Sequence, residues 1–131
     1  MIGLDTNVLV RFFTHDDSHQ TPIARALVNS LTPEKPGYVS LLVLAELVWV
    51  FESCYRFSKP EIVSSLETLL RSKEIQIETP DLAWEALRRF TNCRADYVDC
   101  LIERCAHAAG CSHTMTFDKK AASVEGMKVL G

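Results

Sequence analysis

The chain has 131 residues, 47% of them hydrophobic and 24% charged, with a formal charge of −3. That length and balance predict one soluble domain, residues 1–131, with a sizeable core, and exclude a disordered acidic chain. The acidic total also argues against tight nonspecific binding to duplex nucleic acid.

The opening Ile2-Gly3-Leu4 reads as a short buried strand ending at Asp5, followed by a helix over about Asn7 to Phe13. Thr14 to Gln20 is a polar loop, in which the stretch from His15 to Gln20 has no assigned role. Thr21-Pro22 predicts an N-cap with proline in the first turn, opening a helix through Leu31. Tyr38-Val39 is a brief strand, and Ser40 caps a long apolar helix to about Tyr55 that contains Glu46. The most apolar run, Leu41 to Phe51, is far shorter than the roughly 20 residues a membrane span needs. No secretory signal is visible, so the cytoplasm is the expected compartment and no membrane partner is expected.

Pro60 to Arg71 carries Ile62, Leu66, Leu69 and Leu70 at helical spacing. Ile75-Gln76-Ile77 alternates as a strand does. Thr79-Pro80 repeats the cap-and-proline pattern before a helix to about Phe90. The next helix, Ala95 to Ala109, is predicted to bury Val98, Leu101, Ile102, Cys105 and Ala109, leaving Glu103 on a solvated face. His113 to Thr116 and Lys128 to Leu130 are the last strands. Strands separated by helices predict an α/β fold with a mainly parallel central sheet flanked by helices, whose ligands bind beyond the carboxyl ends of the strands.

Five cysteines without paired spacing fit a reducing compartment rather than a disulfide framework. Cys105, His107, Cys111 and His113 are close in sequence, but residues 105 and 107 point in divergent directions on a helix, which disfavours zinc.

Four carboxylates interrupt apolar surroundings: Asp5, Glu46, Asp99 and Asp118. Taking an ionised carboxylate out of water costs several kcal/mol unless a cation or strong donors compensate. Each has a plainer reading: Asp5 and Asp118 as caps, Glu46 in an ion pair, Asp99 at the border of a helix face. Taken together they point to one shared divalent cation. Oxygen ligands select Mg²⁺ or Mn²⁺, and hydrolysis of a phosphodiester by metal-activated water is the chemistry such a site supports. Setting the four aside as ligands leaves 13 acids against 14 bases.

At these residues the chain resembles the PIN-domain nucleases, and within them the VapC-type toxins of toxin–antitoxin pairs. The segments that carry the likeness are Met1 to Val10, Ala45-Glu46-Leu47, Ala95 to Ile102, and Thr116 to Lys120 with Val129-Leu130. The resemblance implies a three-layer PIN-like fold and a metal-dependent endoribonuclease with Asp5, Glu46, Asp99 and Asp118 as catalytic metal ligands. It implies Asp96 as a further ligand of second rank, and Thr6, Asn7 and Thr116 as supporting polar residues. It implies also an RNA substrate, a homodimer and a small cognate antitoxin. Arg11, Arg94, Lys119 and Lys120 are candidates for substrate phosphates, against the plainer reading of solvated surface charge. A housekeeping PIN nuclease in RNA maturation and a non-catalytic PIN-like interaction domain are the competing functions.

Overall fold

Segments of two or three strand residues, separated by longer stretches with apolar stripes, alternate along the computed structural model, which describes residues 1–131. The first half runs β1 (Ile2–Gly3), α1 (Thr6–Phe13), α2 (Gln20–Asn29), β2 (Gly37–Val39), α3 (Leu41–Ser53), α4 (Lys59–Arg71) and β3 (Ile75–Ile77). The second runs α5 (Pro80–Thr91), α6 (Tyr97–Ala108), β4 (Thr114–Thr116), a 3-10 turn at Ala121–Ser123, and β5 (Met127–Val129). No helix is long and apolar enough to cross a membrane. The chain forms two compact units, Met1–Pro80 and Asp81–Gly131.

In the first unit the sheet order is β1-β2-β3, parallel throughout, with Gly3 opposite Tyr38 and Val39 opposite Ile77. Parallel neighbours need crossovers, which α1–α2 and α3–α4 supply. Leu9, Val39, Leu44, Leu47, Val48 and Phe51 are fully buried around this sheet. A β-carbon on Gly37 would meet the methyls of Leu4 at 2.8 Å and Leu31 at 2.9 Å, so a larger residue there would force those two side chains to shift. Helix starts are set by short polar side chains. Ser40 Oγ accepts from the Val43 amide at 3.1 Å, and Ser58 and Glu61 form a reciprocal capping box on α4.

Two predicted caps are corrected. α2 begins at Gln20, and Asp17 accepts from the amides of His19 at 3.0 Å and Gln20 at 2.7 Å. Thr21 is buried and donates its hydroxyl to the Thr14 carbonyl, so a capping reading of Thr-Pro fails there. Thr79, before Pro80, has φ of +43°, in the left-handed region and not the extended geometry of a cap.

In the second unit β4 and β5 pair in parallel, Thr114 with Met127 and Thr116 with Val129. The α/β class and the parallel pairing are therefore as read from sequence, with the hydrogen-bonded strands in a three-stranded and a two-stranded sheet. Tyr97, fully buried, donates its hydroxyl to the Ala83 carbonyl at 3.1 Å and ties α6 to α5. Burial pushes that phenol above its ordinary pKa.

The predicted core face of α6 is wrong in part. The buried residues are Tyr97, Cys100, Leu101, Glu103 and Arg104, whereas Ile102 is half exposed and Ala109 exposed. Glu103 is only 3% exposed because Arg104 grips it through two bonds, Nε at 2.7 Å and Nη2 at 2.9 Å. Arg104 also lies 3.5 Å from Glu85, and Arg89 lies 3.6 Å from Glu103. Mutual charge compensation lets this helix bury charged residues in place of the apolar ones next to them.

Candidate active site

In the first unit, Asp5 follows β1 and caps α1: its carboxylate accepts from the Thr6 amide at 2.9 Å. Thr6 is buried, and its hydroxyl donates to Glu46 Oε1 on α3. One residue thus touches two candidate acids, through its amide and through its hydroxyl. Asn7 follows on the exposed side of α1.

Asp5 and Glu46 are both exposed, which corrects the expectation of a buried Glu46. The apolar coat of α3 extends onto its solvent side, where Leu42 is 80% and Trp49 60% exposed. Spaced four and three residues from Glu46, they share its face. Its apolar neighbours share its solvent face and do not bury it.

Arg11, at the end of α1, is bound by the polar loop. Its guanidinium meets Gln20 Oε1 at 2.8 Å, Asp16 at 3.5 Å and Asp17 at 3.8 Å, and donates to the Tyr55 hydroxyl at 3.1 Å. Tyr55 in turn donates to Asp16 at 2.7 Å, the main cause of that carboxyl's lowered pKa. The stretch from His15 to Gln20 therefore has a structural role, fastening α1, α2 and the end of α3.

In the second unit, Asp96 caps α6 and Asp99 lies one turn on, accepting from the Asp96 amide at 3.2 Å. Asp118 leaves β4 with its amide donating to Thr116 Oγ1 at 3.0 Å and its carboxylate accepting from the Lys120 amide at 2.8 Å. Lys120 Nζ reaches Asp96 at 3.5 Å. Asp99 is half-buried, and its pKa is raised by burial first and then by the charges of Asp96 and Asp118, against opposing help from the Asp96 amide and Lys120. Arg94, Lys119 and Lys120 are exposed.

The structure thus links Asp5, Thr6 and Glu46 in one unit, and Asp96, Asp99, Asp118, Thr116 and Lys120 in the other. No group of three or more His, Cys, Asp or Glu side chains stands at metal-holding geometry. Every candidate donor is an oxygen, and Asp99 carries like charges that a divalent cation offsets, so the residues suit a hard cation. Lys120 on Asp96 and the bare ring of Phe117, 81% exposed, were not singled out by sequence. The Phe-Asp-Lys-Lys run was the available signal for both.

The family model for the PIN domain matches residues 2–127. The chain is 23% identical over 117 residues to a VapC ribonuclease of Aquifex aeolicus (strain VF5), covering 89% of this chain and 87% of that protein. Compared with the crystal structure of Mycobacterium tuberculosis VapC20, a sarcin-ricin loop cleaving toxin, it gives a TM-score of 0.48 at 24% identity, covering 93% of each chain.

Proposed function

The chain belongs to the PIN domain family, and from that premise we propose that it is an endoribonuclease using Mg²⁺ or Mn²⁺ held by Asp5, Glu46, Asp99 and Asp118, with Asp96 as a ligand of second rank. The observation that carries the reading is the family match over residues 2–127, which spans both units and includes all of these acids in one reading frame. It also supports treating residues 1–131 as one domain. When bound, a divalent cation supplies an acidified water and positive charge for the phosphodiester oxygens.

The chain's own residues do the positioning. Thr6 fixes Glu46 by its hydroxyl and receives Asp5 at its amide. Thr116 and the Lys120 amide hold Asp118 from two sides. Asn7, exposed one residue beyond Thr6, is proposed as a supporting polar residue at that edge. Lys119, Lys120 and Arg94 are exposed cations for RNA phosphates, whereas Arg11, a candidate for the same task from sequence, is committed to the loop.

The VapC ribonuclease likeness supports the ribonuclease class, and we propose further a toxin acting in the cytoplasm as a homodimer, paired with a small antitoxin. Five cysteines without a disulfide suit a reducing compartment. A housekeeping nuclease in RNA maturation has the same site and no antitoxin. Growth arrest on induction, relieved by a small neighbouring gene, separates the two. A non-catalytic interaction domain has no use for Asp99 crowded by Asp96 and Asp118.

Purified protein is expected to cleave RNA with Mn²⁺, and its melting temperature to rise with millimolar Mn²⁺. Asp5→Asn and Asp99→Asn each lower cleavage by more than the roughly 10–100-fold that outer partners of a metal site command. Cleavage that survives both substitutions, or a melting temperature indifferent to the cation, overturns the assignment.

A further inference from the structure

Phe117 is the most exposed large hydrophobic residue of the chain, at 81%, and stands immediately before Asp118. Singly exposed apolar side chains are common; this one differs in standing on a hydrogen-bonded segment directly before a candidate catalytic acid. The segment that carries it is pinned on both sides. The Thr116 carbonyl accepts from the Leu130 amide at 2.8 Å, Thr116 Oγ1 accepts from the Asp118 amide, and the Asp118 carbonyl accepts from the Ala122 amide at 3.1 Å. Phe117 has no ring partner among the aromatic pairs, unlike Phe12, Phe13, Phe51 and Phe57. A held backbone with a bare ring is a preformed platform.

The residues that follow define what fits it. Asp118, Lys119 and Lys120 are all exposed, so the aromatic face is followed by one acid and then two cations, of which Lys120 also lies 3.5 Å from Asp96. Ring and ammonium groups so interleaved match the two parts of a nucleotide: a base that stacks and phosphates that pair. A protein partner would have to bury the same three charges to reach the ring, which costs more than it returns unless each is matched. A base in a duplex is already stacked on its neighbours, so the ring selects an unpaired one.

We infer that Phe117 is a base-stacking residue that seats one unpaired nucleotide of the RNA beside Asp118, with Lys119 and Lys120 on its phosphates. This rests on the nuclease reading above and adds to it a residue that positions the substrate. Phe117 is a positioning residue for that nucleotide, and its effect belongs in KM more than in kcat.

The test uses the full chain, Mn²⁺ and a short unstructured oligoribonucleotide. Phe117→Ala is expected to raise KM about tenfold, within the range one stacked base contributes, with a much smaller change in kcat. Phe117→Trp restores KM, and its added fluorescence is quenched when RNA binds. An abasic site moved along the oligonucleotide raises KM of the parent chain at one position, and at that position adds nothing further in Phe117→Ala. Preference for the single strand over its duplex shrinks in the same variant. If the parent chain cleaves no RNA, the nuclease reading itself has failed. If the parent cleaves and Phe117→Ala keeps its KM, or loses only binding to a protein partner, the stacking role is overturned and the nuclease reading stands.

Discussion

The first turn of α6 holds Asp99 half-buried beside the charges of Asp96 and Asp118, whereas the next turn holds Glu103 buried in the grip of Arg104. Two carboxylates four residues apart on one helix have pKa values shifted in opposite directions. Glu103 is held below its ordinary value, first by the two-bond contact with Arg104 and then by the charges of Arg104 and Arg89, against its burial. Asp99 is raised because it is withdrawn from water with acids for company. Burial by itself therefore does not mark a functional acid. What differs is the partner: Glu103 has a guanidinium bonded to it twice, whereas Asp99 has the Asp96 amide and the charge of Lys120 against two neighbouring acids.

Removing each acid separates the two turns most sharply. Glu103→Ala leaves the Arg104 guanidinium buried without its main partner, and a loss of about 3–5 kcal/mol is expected on denaturant unfolding. Asp99→Asn keeps an oxygen for the Asp96 amide and relieves like-charge crowding, so its stability should hold or rise while cleavage falls. Equal destabilisation by both variants breaks the comparison.

Gly126 sharpens it by a smaller amount. Its φ of +99° is strained for any side chain, and a β-carbon there would run into the Glu103 carboxylate. Gly110, at φ +101° just past α6, has open space around it. Gly110→Ala therefore reports the backbone cost alone, about 1 kcal/mol, and Gly126→Ala that cost plus displacement of the ion pair, about 2–3 kcal/mol. Melting temperatures of the two variants measure the difference, and its disappearance would mean Glu103 yields freely.

Much of this arrangement could be read in advance where local rules act alone. Ser40 before an apolar run fixed the start of α3, and Ile75-Gln76-Ile77 matched β3 residue for residue, because capping and alternation need only near neighbours. The candidate acids were visible as charges interrupting apolar segments. Their exposure was not, because whether Leu42 and Trp49 face solvent depends on how much of α3 the rest of its unit covers. Glu103 was misread for the complementary reason. Its burial depends on Arg104, Arg89 and Glu85 meeting it in space, and apolar periodicity has no way to register a charge made buriable by a partner. Arg11, likewise, reads as a free cation until Asp16, Gln20 and Tyr55 close around it.

Acid titration tests the same pair with the mildest perturbation. The folded pKa of Glu103 lies below the ordinary 4.5, so just below pH 4.5 the unfolded chain binds a proton that the native chain does not. Its stabilising contribution is complete above that pH and is lost as pH falls through the folded value. Asp99 has the reverse sign: with a folded pKa above 3.8, the native chain keeps a proton that the unfolded chain releases, so this term erodes stability as pH rises through that window. Glu103→Gln should flatten the loss of stability on acidification, measured as unfolding midpoints from neutral pH downward. The effect is smaller than truncation because glutamine, like a protonated carboxyl, still offers Arg104 an acceptor. An acid limb as steep in Glu103→Gln as in the parent chain would move the pH-sensitive contact away from this buried pair.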